Sequence, residues 1–292
     1  MINFPCFDFF SYYMIYYLGM EGVLFMEMAL QVKSLDMALK ASDLVDTFII
    51  PIDDFSVNYE KTFCLNDVKK INDVKKSFVV LNKNIHNDEL GKLEKLLLEI
   101  ENIGVLGIIF YDISIVNLKK KLNIKTPLVW YQEHLVTNYK TINYWNKKGV
   151  EWAYLSSELT KRELDEIADN TNFKLFVTVF GYLPMFTSRR NLVESYLNTF
   201  NLKENGYEKR IVNEGKEYII TDNYKGTVVY SDYILNALDE DFSNFDYIVF
   251  NSNFINDEDV LEIIEKYREG KTDYKYPINH GFLYKETVYK VK

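Results

Sequence analysis

Short, almost unbroken apolar runs recur along this chain, each followed by an amphipathic stretch. That alternation constrains the fold more than any other feature. The runs are Met28–Val32, Thr47–Ile52, Ser77–Leu81, Gly107–Tyr111, Pro127–Trp130, Trp152–Leu155, Lys174–Phe180 and Phe245–Phe250. Continuous apolar runs of this length suit strands buried on both faces. Between them, Leu90, Leu93, Leu96, Leu97 and Leu98 form a helical stripe. Thr160 followed by Glu163 has capping-box spacing, and Glu258–Glu269 ends at Gly270, a natural helix stop.

Strand–helix alternation demands a parallel sheet with right-handed crossovers. Eight repeats predict a closed (β/α)₈ barrel, the α/β TIM-type architecture. The doubly wound open sheet is the rival, and it carries a Gly-rich phosphate turn. The sequence has no G-x-G-x-x-G and no Walker A motif. Before the eighth run, Glu217–Thr221 and Thr227–Tyr230 flank a turn that ends in Gly226, which predicts a β-hairpin insertion within about residues 200–231. Gly281–Val291 alternates apolar and polar residues and predicts an extended C-terminal tail, residues 281–292. No Pro/Gly/Ser linker divides the chain, so residues 26–292 form one domain.

Residues 1–25 have a different texture, crowded with Phe and Tyr and free of Lys and Arg. A secretory signal needs a positive start, and a membrane span needs about 20 apolar residues; this segment has neither. The codons for Glu21-Gly22-Val23 can spell a ribosome-binding site, so translation is expected to begin at Met26, with 1–25 a leader outside the native domain. The expected location is the cytoplasm.

Composition narrows the function. With 34 basic and 43 acidic residues the formal net charge is −9, unfavourable for an autonomous nucleic-acid binder that must neutralise phosphates. Two cysteines exclude a disulfide framework. They also exclude an all-cysteine iron–sulfur cluster, which needs about four thiolates. No cofactor is expected, and whether a metal enters the site stays open. Cys64 reads as an ordinary buried thiol.

In a barrel of this kind, chemistry sits at the C-terminal ends of the strands. That rule gathers Asp53, Asp54, Asn84, Asp112, Gln132, Glu133, His134, Asn138, Glu158, Tyr182, Arg189 and Arg190. Two carboxylates in different environments can divide acid and base work, and imidazole titrates near neutrality. Glu158, His134 and Asp112 are therefore the expected catalytic groups. Arg189, Arg190, Asn138, Asn84 and Tyr182 are the expected substrate contacts, the arginines because a guanidinium forks onto a carboxylate or phosphate. The competing reading is structural: Asp53, Asp54 and Asp112 are equally suited to capping the helices that follow. The three histidines are scattered, with no metal-ligand spacing. The late tyrosines Tyr267, Tyr274, Tyr276, Tyr284 and Tyr289 alternate with lysines, either as a stacking surface for single-stranded RNA or as a packed face with solvated lysines.

The segment Gly149–Asn191 resembles the central block of the U32 peptidase family, the collagenase-like proteases. The matching features are Gly149, Leu155-Ser156, Glu158-Leu159-Thr160 and Gly181. Gly107–Asp112 with His134–Asn138, Val79–Asn84 with His86–Leu90, and the ending GFLYKETVYKVK are similar in order and spacing. The resemblance runs from Met26 to Lys292. It implies a TIM-type barrel with a small β insertion and a hydrolase acting on peptides or unfolded protein. Other U32-like proteins act in RNA or quinone hydroxylation and carry an iron–sulfur cluster on four cysteines. Their loop after strand seven reads Ser-Gly-Arg-Cys; here it reads Thr187-Ser188-Arg189-Arg190. The resemblance therefore implies an alternative role, a non-catalytic subunit that meets RNA only through a cysteine-bearing U32 paralogue.

Overall fold

The computed structural model describes residues 26–202, 209–223 and 225–286. Residues 1–25, expected to be a leader, residues 203–208 and 224 of the insertion, and residues 287–292 of the expected tail lie outside the described residues.

Eight parallel strands close on themselves. In chain order they are β1 (Glu27–Gln31), β2 (Thr47–Pro51), β3 (Ser77–Leu81), β4 (Gly107–Phe110), β5 (Leu128–Trp130), β6 (Trp152–Tyr154), β7 (Lys174–Ser188) and, after three further strands, β11 (Tyr247–Asn251). β11 pairs in parallel with both β7 and β1, which closes the barrel. Strands β2 to β5 are buried along their whole length, as their unbroken apolar runs require. The helices α1 (Leu35–Ala41), α2 (Leu65–Val74), α3 (Leu90–Ile103), α4 (Ser114–Leu122), α5 (Tyr139–Asn146), α6 (Lys161–Asp169) and α8 (Asp257–Arg268) form the outer layer. Each lays an apolar stripe on the barrel, as Leu93, Leu96, Leu97 and Ile100 do from α3. Ends are set locally. Thr160 and Glu163 form the reciprocal capping box of α6, and Gly104 closes α3 at φ +72°.

Two cores result. The larger lies between strands and helices. The smaller fills the barrel, with Phe78, Phe176, Tyr247 and Trp152 towards the N-terminal end and Tyr154 and Val249 above them. Phe176 and Tyr247 stack at 4.2 Å, and Phe78 meets both edge-on.

The insertion is larger than a hairpin. β7 does not stop at Phe180 but runs on to Ser188. Its upper half leaves the barrel and pairs antiparallel with β10 (Gly226–Asn236), which pairs with β9 (Lys216–Asn223), which pairs with β8 (Lys209–Asn213). Helix α7 (Leu192–Thr199) contacts β9 and β10. The pivot is Gly181, at φ +120°. A Cβ there would stand 2.2 Å from the Asn251 carbonyl oxygen, so only glycine lets β7 pass β11 as it bends away.

Within the described part of the expected tail, residues 281–284 form a turn, just after a bridge between Asn236 and Asn279; residues 287–292 lie outside the described residues. The late tyrosines are largely packed. Tyr267, Tyr274 and Tyr276 lie against the outer core, and the Tyr276 hydroxyl donates to Asp259 at 2.8 Å. Lys266 and Lys275 are paired with Asp273 and Asp259. The three tyrosines form a packed face rather than an open stacking surface, while Tyr284 is exposed; Tyr289 lies outside the described residues. Cys64 is exposed rather than buried. It occupies the N-cap position of α2, where the chain turns, and its thiol donates to Asp67 at 3.3 Å.

Candidate functional site

The C-terminal ends of the strands form the barrel mouth. Its cavity measures about 40 Å³, room for about three waters. Anything larger sits on the rim or displaces rim side chains. Its walls include Tyr59, Tyr131, Tyr154, Glu133 and His134.

Of the expected site residues, the structure brings two together. His134, on the turn after β5, places Nδ1 3.1 Å from Glu158 Oε1, on the loop after β6. Both side chains are about half exposed. On the other side of the imidazole, Nε2 stands 4.0 Å from Glu133 Oε2. Glu158 and His134 are within hydrogen-bond reach, so a proton can be held or exchanged between them. Glu133 lies beyond hydrogen-bond distance of the imidazole and acts on it through its charge.

Glu133 is the group that reading from the sequence gathered but did not choose. Its side chain is only 13% exposed. Burial pushes its carboxyl above the usual range, while His134 and a hydrogen bond from Asn58 pull it back. Its backbone has φ +38°, a conformation that costs about 1–3 kcal/mol in a non-glycine residue. Asn58 holds it there. The Asn58 amide donates to Glu133 Oε1 at 2.5 Å, its own carbonyl accepts from Asn253 at 3.1 Å, and its side-chain oxygen accepts from Thr187 at 3.3 Å. One residue thus ties the β2 and β11 loops and the β7 extension to the buried carboxylate. Around it, burial raises the phenols of Tyr59, Tyr131, Tyr154 and Tyr230, so they are neutral donors near pH 7. Tyr131 and Tyr154 lie 4.7 Å apart, and the Tyr154 hydroxyl meets Thr178 at 2.8 Å. No local motif marks this set; the one signal in the sequence is that each residue sits on or just past a strand that ends at the mouth.

The other expected residues are placed differently. Asp112 accepts from the backbone N–H of Ile85 and of Ser114, each at 2.9 Å; both its oxygens serve the loops after β3 and β4. Asn138 caps α5 through Thr141 N–H. Asn84 is exposed on the loop after β3. Tyr182 packs against the outer core, and its carbonyl accepts from Asn251. Arg189 and Arg190 are exposed beyond the end of β7, on the extension. Arg189 is close enough to Glu89, on the mouth side of α3, to help lower that carboxyl.

The buried Glu133 gives a signed pH prediction. Its folded pKa lies above its unfolded value near 4.5, so the folded state binds the extra proton. Stability therefore falls as pH rises from about 4.5 through the folded pKa. Glu133→Gln is expected to remove that component. Urea melts of both proteins between pH 4 and 8 should show a difference that grows with pH in favour of the variant; a flat difference would mean the carboxylate is not desolvated.

The closed eight-stranded parallel barrel with its mouth at the strand C-termini defines a TIM-barrel protein. The model of peptidase family U32 matches residues 42–248, more than half the chain, and the chain belongs to that family. It is similar to tRNA hydroxylation protein P2 of Bacillus subtilis (strain 168), 26% identical over 250 residues that cover 73% of this chain and 81% of that protein. It is also similar to tRNA hydroxylation protein P1 of the same organism, 20% identical over 131 residues, 45% of this chain and 31% of that protein. Among solved structures, the U32 peptidase Mk0906 shares the fold, with a TM-score of 0.53 at 13% identity, covering 80% of this chain and 95% of that one. The two Bacillus subtilis proteins carry tRNA-hydroxylation names, whereas the solved structure carries a peptidase name.

The residues present do not fit the four-cysteine iron–sulfur cluster of U32-like hydroxylation proteins. Thr187–Arg190 hold no sulfur, and Cys64 sits apart from them, at the head of α2. Among the described residues no helix is long and apolar enough to cross a membrane.

Proposed function

We propose that this chain is a subunit of a tRNA-hydroxylating system and works in the cytoplasm beside a U32 paralogue. The observation that carries the reading is the likeness to tRNA hydroxylation protein P2 over four-fifths of that protein's length. Converting C–H into C–OH is a two-electron oxidation. The oxygen comes either from water, with a separate two-electron acceptor, or from dioxygen, with a two-electron donor, and either route needs a redox centre. Two cysteines cannot ligate an all-cysteine cluster, which assigns that part to the paralogue. This barrel contributes the mouth. There Glu158 and His134 hold or move a proton, with Glu133 behind them, and Asp112 fixes the neighbouring loops. Arg189, Arg190, Asn84, Asn138 and Tyr182 are the residues offered to a substrate or to the partner. The net charge of −9 leaves most phosphate contacts to the paralogue.

The test is deletion of the gene in its own host, followed by mass spectrometry of tRNA nucleosides. A hydroxylated nucleoside should disappear, return with the intact chain, and fail to return with His134→Ala or Glu158→Gln. Unchanged tRNA hydroxylation in the deletion strain would overturn the reading. Cleavage of a peptide library by the purified chain, lost in Glu158→Gln, would restore the peptidase in its place.

A further inference from the structure

A second cluster of polar side chains lies away from the mouth, on the outside of the barrel. Asp239 and Glu240 follow β10 in the connection to β11, and His280 lies in the segment after α8. His280 Nε2 is 3.0 and 3.1 Å from the two Asp239 carboxylate oxygens and 3.2 Å from Glu240 Oε1. A ligand atom from each of the three residues lies within 4.8 Å of the others.

The cluster is held in place. Asn236 and Asn279 exchange both backbone hydrogen bonds at 2.9 Å, which pins the histidine-bearing segment beside the end of β10. The Asn236 amide donates to the Tyr276 carbonyl at 2.8 Å. Tyr284 packs edge-on against the imidazole, 5.3 Å between centroids, and its hydroxyl donates to Glu240 Oε1 at 2.6 Å.

A proton alone serves this arrangement poorly. One imidazole N–H is shared among three carboxylate oxygens, with the Tyr284 hydroxyl the other donor to Glu240 Oε1, and the two carboxylates repel each other. A divalent ion resolves both problems. In a tetrahedral zinc site with bonds of about 2.0–2.2 Å, neighbouring ligand atoms stand about 3.3–3.5 Å apart. The imidazole–oxygen separations of 3.0–3.2 Å need to open by only a few tenths of an ångström, and the carboxylate oxygens of the two acids lie within 4.8 Å of each other. One imidazole and two carboxylates make a nitrogen–oxygen donor set that suits zinc, and partial exposure gives the ion a path from solvent.

We propose that Asp239, Glu240 and His280 bind one Zn²⁺, with water at the fourth position. The ion staples the segment after α8 to the β10–β11 connection, a link between parts of the chain about forty residues apart.

The test uses the full chain, stripped with a chelator and titrated with zinc chloride alone by calorimetry. Saturable binding at one ion per chain is expected, weakened about 100-fold or more in His280→Ala and in Glu240→Gln. The glutamine variant preserves shape, so circular dichroism on it separates loss of ligation from loss of fold. Zinc at about 100 times its Kd should raise the Tm by about 5 °C or more. X-ray absorption should show nitrogen and oxygen neighbours near 2.0–2.1 Å and no sulfur. No saturable binding below about 1 mM zinc, or binding that survives His280→Ala and disappears in His134→Ala, would overturn the assignment.

Discussion

Gly181→Ala is expected to lower the stability of this barrel by about 3–5 kcal/mol, from the strain of a left-handed non-glycine residue plus overpacking. At φ +120° a side chain is already strained, and its Cβ would fall 2.2 Å from the Asn251 carbonyl oxygen and 2.7 Å from the Asn251 Cβ. Both obstacles belong to β11, the strand that closes the barrel, so relief means opening the β7–β11 seam. Gly149→Ala is the control. Gly149 also has a positive φ, +86°, but nothing lies within 4 Å of a Cβ there, so its cost is strain alone, about 1–3 kcal/mol. Urea melts of both variants isolate the clash. Equal losses would show that the bend of β7 does not depend on a missing side chain.

Phe78→Ala should cost about 3–5 kcal/mol, the usual range for a buried aromatic truncated to Ala. Phe78 is fully buried and meets Trp152, Phe176 and Tyr247 edge-on at 5.0–5.3 Å. Across the strands, a Cβ on Gly107 would touch the Phe78 ring at 3.0 Å; the glycine makes room for the ring. Three aromatic neighbours anchored on different strands cannot collapse into the space, so the cavity term persists. Phe78→Leu, which keeps most of the volume, should lose much less. Thermal melts, with near-ultraviolet circular dichroism following the ring cluster, decide it. A loss below about 1 kcal/mol for the alanine variant would show that the plug relaxes.

Both positions bear on what could be read in advance. Ser77–Leu81 is a strand with the bounds its apolar run predicts. The capping box at Thr160 and Glu163 forms as its spacing predicts. Such features rest on interactions within a few residues, and burial on both faces leaves an unbroken apolar run behind. The upper half of β7 left no such trace. Gly181 and Pro184 both look like strand breakers, and the run turns mixed beyond them. The strand continues because β10 pairs with it through two register shifts, a partner some forty residues later. β8, with the polar sequence Lys-Arg-Ile-Val-Asn, is a strand by virtue of its neighbour β9 and not of its own pattern.

The site divides in the same way. The rule that barrel chemistry gathers at strand C-termini brought His134, Glu158, Asp112 and Glu133 into a longer group of candidates, from which Glu133 was not chosen. It had no means of ranking them. Asp112 and Glu133 both lie within three residues of the end of an apolar run, yet Asp112 spends both oxygens on backbone N–H groups while Glu133 is buried, at a positive φ. A carboxylate's role depends on the dielectric around it and on which donors reach it. Those are set by Asn58, Asn253 and Thr187, drawn from three distant parts of the chain. By itself the sequence determined the strand–helix alternation and a few helix ends, such as the Thr160 cap, because each is written in local periodicity and spacing. Tertiary structure alone decided how far β7 runs, which histidine meets which glutamate and which carboxylate is buried, because those follow from contacts between segments that local pattern does not link.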